Sequence, residues 1–351
     1  MNHNLNIGGL IPKLPVIQGG MGVGISLHQL AGHVAKAGGI GIISSAQIGY
    51  KAANFLTNTL AANLAALKEE LHKARAIAPK GIIGVNIMVA LTNYAEIAKK
   101  AVEAGADLII SGAGLPVNLP LYTKGSKTRI APIVSSGKAA SVICKLWDRK
   151  HQVAPDLVVV EGPLAGGHLG FTREEIEQNP NVLDIMKDVK NVVTEYETKY
   201  NKKIPVVVAG GIYTGEEVAK ALAAGADGVQ MATRFVTTYE CDAAPAFKET
   251  YLQATADKIG IIKSPVGMPG RAILNDFILN VPGNKACYYH CIEKCTITDI
   301  PYCISSALIN AVTGNVEKAL LFCGSNAYRA THLEHVQDIL NEIETALKPI
   351  I

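Results

Sequence analysis

The chain has 351 residues, of which 49% are hydrophobic and 18% charged, so it can bury a large core. A net charge of +3, an aromatic fraction of 5% and the absence of recurring Lys/Arg clusters argue against a nucleic-acid partner. The N-terminus lacks the order of a signal peptide and no apolar run is long enough to span a bilayer, so we expect a cytoplasmic protein without a membrane partner.

Short apolar runs recur eight times between residues 14 and 231. The runs are continuous rather than alternating, which is typical of parallel strands that are buried on both faces. Glycine, proline or a helical stretch follows each of them. The predicted strands cover residues 14–18, 40–45, 82–88, 108–111, 130–135, 157–161, 204–209 and 228–231.

Helices are predicted between these strands. The first begins after Ser26, its expected N-cap, and ends at Gly38 and Gly39. Thr214 is the expected N-cap of the last, and a Pro- and Leu-rich loop covers residues 115–121. The helices after the first cover residues 52–78, 94–104, 138–147, 182–200 and 214–224.

Eight strand–helix units predict an α/β protein with a closed (β/α)8 TIM barrel. An open doubly wound sheet is the alternative, but it would leave two unusually apolar edge strands. We assign residues 1–236 to the barrel and 237–351 to a C-terminal extension with a lid segment, a Cys-rich segment and closing helices. No Ser/Gly linker separates this extension, so we expect it to return over the barrel mouth and pack on the outer helices.

The stretch from 161 to 170 reads Glu-Gly-Pro-Leu-Ala-Gly-Gly-His-Leu-Gly and follows the sixth strand. Glycines let a backbone approach a flat ligand closely, and an imidazole can exchange a proton near neutral pH. We interpret the stretch as a cofactor-binding turn on which His168 does chemistry. A glycine-rich loop with an incidental histidine is the alternative, and this stretch alone leaves both open.

Glycines and polar residues also follow strands seven and eight, at Gly210, Gly211 and residues 230–233. In such barrels these loops commonly bind phosphate through backbone N–H groups and a helix N-terminus. A tight turn alone would explain Gly210 and Gly211 equally well. Because similar residues follow both strand seven and strand eight, we favour phosphate binding. Flavin mononucleotide (FMN) fits such a site, and a barrel that binds a phosphate ligand without flavin is the remoter alternative.

No dinucleotide-binding Gly-x-Gly-x-x-Gly follows a strand, and no Walker A sequence is present. Gly20, Gly22 and Gly24 are only superficially similar, because the later acidic residue is missing. Lys138 follows strand five on the expected active face, where its charge could stabilise reduced flavin or phosphate.

Four cysteines lie close together near the C-terminus. Cys287, Cys291 and Cys295 recur every fourth residue, and Cys303 follows. Four thiols at this density could bind an iron–sulfur cluster or zinc, although the spacing matches no familiar ferredoxin or zinc-ribbon pattern. Partly buried thiols are the alternative, and we favour them slightly.

Seven motifs, taken in order, resemble those of the nitronate monooxygenase family, formerly called 2-nitropropane dioxygenases. Its close relative, the flavin-dependent enoyl-ACP reductase II, shares them. The motifs are Ile17-Gln18-Gly19-Gly20-Met21, Ala37-Gly38-Gly39-Ile40-Gly41, Gly84-Val85-Asn86, the stretch 161–170, Val208-Ala209-Gly210-Gly211-Ile212, Ala224-Gly225-Ala226-Asp227-Gly228-Val229-Gln230 and Gly270-Arg271.

The resemblance implies a (β/α)8 barrel with tightly bound FMN and with His168 as the catalytic imidazole. In nitronate monooxygenases this histidine takes the α-proton of a nitroalkane, and flavin carries electrons to oxygen. In the reductase, NAD(P)H reduces FMN, which passes hydride to an enoyl thioester. The implied FMN contacts are Gln18, Gly20, Met21, Asn86, Glu161, Gly166, Gly167, Gly210, Gly211, Gln230, Met231, Ala232 and Thr233.

The substrate is therefore expected to be a small molecule, either a nitronate or an enoyl thioester, and the sequence leaves open whether the protein forms a homodimer. The sequence patterns of nitronate monooxygenases and of the reductase differ at Glu161. Many nitronate monooxygenases have a glutamine there, whereas the reductase branch commonly has Glu-Gly, as in Glu161-Gly162. Pro163 and Leu164 match neither branch well. Nitronate oxidation is the first hypothesis and NAD(P)H-dependent enoyl reduction is the second.

Overall fold

The computed structural model describes residues 5–280, 289, 291–293, 295 and 300–348. Eight parallel strands form a closed barrel in the order β1-β2-β3-β4-β5-β6-β8-β9, which confirms the predicted (β/α)8 fold. The strands are β1 (Val16–Gln18), β2 (Ile40–Ser44), β3 (Ile82–Met88), β4 (Leu108–Gly112), β5 (Arg129–Val134), β6 (Val158–Glu161), β7 (Gly167–His168), β8 (Val206–Ala209), β9 (Gly228–Met231), β10 (Ile259–Lys263) and β11 (Pro269–Ile273).

The barrel strands are apolar along their whole length because both of their faces are buried. Ile17, Ile42 and Val159 belong to a core inside the barrel, whereas neighbours such as Val16 and Ile43 belong to the larger core beneath the helices. Leu5 joins the inner core beside Gly228, the first residue of β9, and so closes the barrel at the amino ends of the strands. The opposite, carboxyl ends are left for a site.

The outer layer consists of helices, and the C-terminal helix α13 packs between α8 and α1 to complete it. The helices are α1 (His28–Lys36), α2 (Thr59–Ile77), α3 (Tyr94–Glu103), α4 (Leu119–Thr123), α5 (Gly137–His151), α6 (Arg173–Gln178), α7 (Val182–Tyr200), α8 (Gly215–Ala223), α9 (Thr233–Val236), α10 (Pro245–Leu252), α11 (Asp276–Leu279), α12 (Ile304–Thr313) and α13 (Val336–Leu347).

The predicted start of the second helix and one predicted loop were wrong. Helix α2 begins at Thr59 rather than residue 52, because the Asn58 side chain accepts a hydrogen bond from the Ala61 amide at 3.2 Å. Helix α4 begins within the predicted loop 115–121. The predicted cap Thr214 is present, and it forms a capping box with Glu217.

Strands β10, β11 and β7 form a separate antiparallel sheet, which the sequence did not predict. In it the loop after β6 is hydrogen-bonded to a hairpin from the C-terminal part of the chain. Arg234, just after β9, also forms ion pairs with Glu334 at 2.7 Å and with Glu342 of α13 at 2.5 Å. The C-terminal part is thus attached at the barrel mouth and on its outside, while the boundary at 236 stays a prediction.

No helix in the described part of the chain is long and apolar enough to cross a membrane.

Helix α1 is capped by a residue distant in sequence rather than by Ser26. Its N-cap position is Leu27, whose side chain cannot accept a hydrogen bond. The Asp242 carboxylate accepts hydrogen bonds from the amides of Leu27 at 2.8 Å, Gln29 at 3.2 Å and Leu30 at 3.1 Å. The first turn of α1 is therefore satisfied from the segment that follows the barrel.

We predict that Asp242→Ala lowers the free energy of unfolding by about 1–2 kcal/mol, because it leaves amides of the first helical turn without acceptors. Asp242→Asn keeps one side-chain oxygen and should lose less. Urea denaturation of the parent and both variants measures the loss, which is read from the midpoints if the m-values are equal. An Ala variant as stable as the parent would contradict the capping role.

Candidate active site

The carboxyl ends of the barrel strands open into one cavity. The predicted catalytic and FMN-contacting residues meet there, with two exceptions, although they come from five separate strand ends. Those lining the cavity are Gly20, Met21, Asn86, Glu161, Gly166, Gly167, His168, Gly210, Gly211, Gln230, Met231, Ala232 and Thr233.

Gln18 and Lys138 do not line the cavity. The Gln18 side chain is fully buried, where it accepts a hydrogen bond from the Ile42 amide at 3.0 Å and donates one to the Gly19 carbonyl at 2.5 Å. It therefore braces the end of β1. Lys138 is exposed in the first turn of α5.

Some glycines of the site are required by the packing of the protein itself. Gly210 and Gly211 have φ of +95° and +85°, which side chains other than glycine rarely adopt. A Cβ on Gly166 would lie 2.5 Å from the Cys323 carbonyl carbon. The glycine stretch after β6 is thus pressed against residues 323–325, which form part of the same cavity wall.

Three contacts hold His168 in place. Its backbone pairs with Gly270 of β11, its Nε2 lies 2.7 Å from Ser264 Oγ, and the Phe322 ring packs edge-on with centroids 4.9 Å apart. Enclosure by protein lowers the pKa of His168 to about 4, so the imidazole is neutral at physiological pH. A neutral ring has one nitrogen that donates a hydrogen bond and one that accepts a proton.

Glu161 is the second titratable group that faces the cavity. Burial raises the pKa of its carboxyl to about 7, and no hydrogen bond or charge from the described residues offsets that effect. The same desolvation therefore moves the two pKa values in opposite directions, which leaves a neutral base and a carboxyl that readily holds a proton.

Arg271 shapes the loop whose sequence departs from the family pattern. Its buried guanidinium donates to the carbonyls of Pro163 at 2.6 Å and Ala165 at 2.7 Å. The Ser325 amide donates to the Leu164 carbonyl at 3.1 Å. Backbone carbonyls alone make these contacts, so the loop at 163–165 can vary in sequence while its path is maintained.

Sequence reasoning missed the residues that the C-terminal part adds to the site. Ser264 and Phe322 contact His168, yet nothing in their local sequence marks them. Gly324-Ser325-Asn326 could have been assigned to the site, because a small polar turn there interrupts an apolar run. An apolar wall of the cavity was also missed, and we call its members the apolar wall: Met88, Leu91, Ile292, Ile304 and Leu308.

Ser325 lines the cavity together with Gly210 and Gly211, the turn at which the sequence predicts phosphate binding. Its hydroxyl is buried and has no hydrogen-bond partner among the described residues. The neighbouring Gly324 backbone amide donates to Thr233 Oγ1 at 3.1 Å, and the Asn326 side-chain amide donates to the Gly211 carbonyl at 2.8 Å. A buried hydroxyl without a partner is costly, so a polar group of a ligand fits here. This arrangement agrees with the phosphate of FMN.

The cysteine cluster stays a prediction. Cys287 lies outside the described residues, and Cys291 Sγ lies 2.9 Å from Ser305 Oγ. Cys295 is half-buried and Cys303 is buried. Within the described part of the chain, no group of three or more His, Cys, Asp or Glu side chains could hold a metal ion.

Comparisons with known proteins agree with the fold and with the family that the motifs resemble. A model of the nitronate monooxygenase family matches residues 6–345. A probable nitronate monooxygenase of Staphylococcus saprophyticus is 28% identical over 288 residues, 76% of this chain and 77% of that protein.

Two further relatives have other names. A Mycobacterium tuberculosis (3aS,4S,5R,7aS)-5-hydroxy-7a-methyl-1-oxo-octahydro-1H-indene-4-carboxyl-CoA dehydrogenase is 28% identical over 264 residues, 75% of this chain and 64% of that protein. The solved structure of FabK from Thermotoga maritima is 25% identical with a TM-score of 0.75, over 97% of this chain and 94% of that one.

We predict that Glu161→Gln stabilises the protein increasingly as the pH rises. The folded-state pKa of about 7 lies above the ordinary value of 4.5. The parent protein therefore loses stability as the pH rises from about 4.5 to about 7, because its buried carboxyl then becomes charged. The free energy of unfolding of the variant, relative to that of the parent, should be about 2 kcal/mol higher at alkaline pH than near pH 5.

Urea denaturation at the two pH values measures this difference. The exposed Glu249→Gln is the matched control, which should show no such trend. A Glu161→Gln variant whose stability relative to the parent is independent of pH would contradict the raised pKa.

Proposed function

Since the chain belongs to the nitronate monooxygenase family and is therefore an oxidoreductase, we propose that it oxidises nitronates, and the nitroalkanes that give rise to them, with O2 and bound FMN. The observation that carries the proposal is a neutral His168 enclosed in a cavity whose other walls fit a flavin phosphate.

The residues proposed to hold FMN come from several strand ends and from the C-terminal part. Ser325, with the backbone at Gly210 and Gly211, would bind the phosphate, while Gly20, Met21 and Asn86 would line the ring system. When bound, FMN would supply the redox chemistry that accepts electrons from the substrate and passes them to O2.

His168 is proposed to handle the proton in this reaction. A neutral nitroalkane has to lose its α-proton, and the imidazole has a free lone pair that can accept it because the lowered pKa keeps the ring unprotonated at physiological pH. A nitronate arrives already deprotonated and needs only to be bound and oriented. The apolar wall would surround the carbon chain of either substrate and exclude water from it.

Reduction of an enoyl thioester by NAD(P)H through FMN is the second candidate. Glu161-Gly162 favours it, because these residues resemble the reductase branch. The M. tuberculosis relative is named for a CoA thioester, and the apolar wall could also accommodate an acyl chain.

Anaerobic mixing of the purified flavoprotein with each reductant separates the two candidates. We expect the visible flavin absorption to be bleached by a nitronate but not by NAD(P)H. Rapid bleaching by NAD(P)H, followed by recovery of the spectrum with a crotonyl thioester, would favour the reductase. A purified protein without flavin absorption would contradict both candidates. It would favour the third hypothesis, a barrel that binds a phosphate ligand without flavin.

We predict that His168→Ala retains FMN and its visible spectrum but loses about 10²-fold or more in kcat/KM for a neutral nitroalkane, the scale of a removed general base. The loss with a preformed nitronate should be smaller. Steady-state oxygen consumption with both forms of one compound measures this, and equal losses would mean that His168 is not the proton acceptor.

A further inference from the structure

Ser264 contacts the proposed catalytic histidine from outside the cavity. It is 2% exposed, does not line the cavity, and lies in the turn between β10 and β11. Its Oγ lies 2.7 Å from His168 Nε2. We propose that Ser264 is a positioning residue that determines which ring nitrogen of His168 carries the proton. This inference rests on the function proposed above and deepens it.

The hydrogen-bond inventory of the hydroxyl determines the direction of this bond. The Val266 amide donates to Ser264 Oγ at 3.4 Å, so the hydroxyl already accepts one hydrogen. If His168 Nε2–H donated as well, the hydroxyl hydrogen would have no acceptor among the described residues. A buried donor left unsatisfied is costly, so the hydroxyl donates to Nε2 instead. The proton of the neutral ring then sits on Nδ1.

The surrounding backbone keeps both partners in this arrangement. The turn that carries Ser264 closes through the Ser264 amide to Met268 at 3.1 Å and the Gly267 amide to Ser264 at 2.9 Å. Beside it, the Leu169 amide donates to the Pro269 carbonyl at 2.9 Å. The serine is thus held in the turn of the hairpin and the histidine on β7, which pairs with β11 of that hairpin, and the Phe322 ring packs against the imidazole.

With Nε2 engaged, Nδ1 is the ring nitrogen that no described residue occupies, and His168 lines the cavity. An Nδ1–H group donates a hydrogen bond to an oxygen of the ligand, which suits the negatively charged oxygens of a nitronate. The native arrangement therefore favours the anion over the neutral carbon acid.

Proton abstraction needs the other tautomer. The α C–H bond of the nitroalkane breaks, its electron pair stays on the nitronate, and the proton moves to the Nδ1 lone pair. That lone pair exists only when the ring proton is on Nε2, and Ser264 must then stop donating to Nε2. Removing the hydroxyl should therefore favour the neutral substrate relative to the anion.

Histidine nitrogen NMR of the 15N-labelled flavoprotein tests the tautomer directly. The His168 signals are assigned by their absence in His168→Ala. We expect a protonated Nδ1 and an unprotonated Nε2 in the parent, and a shift towards the Nε2–H form in Ser264→Ala. A parent protein already in the Nε2–H form would overturn the inference.

Kinetics supply a second readout. In Ser264→Ala, the ratio of kcat/KM for nitropropane to kcat/KM for its nitronate should rise about three- to tenfold, the scale of one hydrogen bond. Ser264→Thr keeps the hydroxyl and should restore both the ratio and the parent tautomer. Lys263→Ala, the exposed neighbour on β10, controls for disturbance of the hairpin.

The outcomes separate this inference from the proposed function. A ratio and a tautomer both unchanged in Ser264→Ala would reduce Ser264 to a structural role. If the parent shows the Nδ1–H tautomer but oxidises no nitronate, the proposed function fails while the role of Ser264 stands.

Discussion

The pairing of β7 with β11 is the interaction on which the site depends. A two-residue strand cannot be stable by itself, and β7 exists because the hairpin from residues 259–273 supplies its hydrogen-bonding partners. Through this pairing the loop after β6 acquires a defined path, and His168 acquires a fixed backbone. Arg271, on the same hairpin, adds two hydrogen bonds to the carbonyls of that loop.

Enclosure of the cavity explains the chemistry available in it. Residues from the C-terminal part cover the carboxyl ends of the barrel strands and remove water from around His168 and Glu161. Desolvation disfavours the charged form of each group, so it lowers the pKa of the imidazole and raises that of the carboxyl. The fold thereby maintains a neutral base without using an ion pair, which would hold the histidine in its charged form.

The C-terminal part therefore has both a structural and a functional role. Helix α13 fills the last place in the outer layer, and Asp242 satisfies the first turn of α1. The same part of the chain contributes Ser264, Phe322 and Ser325 to the site or its support. Its removal would expose an outer face of the barrel and dismantle the walls of the cavity together, so the outer layer and the cavity depend on the same part of the chain.

The sequence by itself determined the barrel and most of the residues that line the cavity at the ends of the barrel strands. Apolar runs that must be buried on both faces predicted the eight strands. The glycines that follow these runs placed His168, Gly210 and Gly211 at the carboxyl ends of the strands, where the structure has them. Only the tertiary structure decided which residues complete the site. Ser264 is 96 residues from His168 in the chain, and Asp242 is 215 residues from Leu27. Such pairs form where the chain returns to the barrel, and no local propensity or periodicity encodes that return.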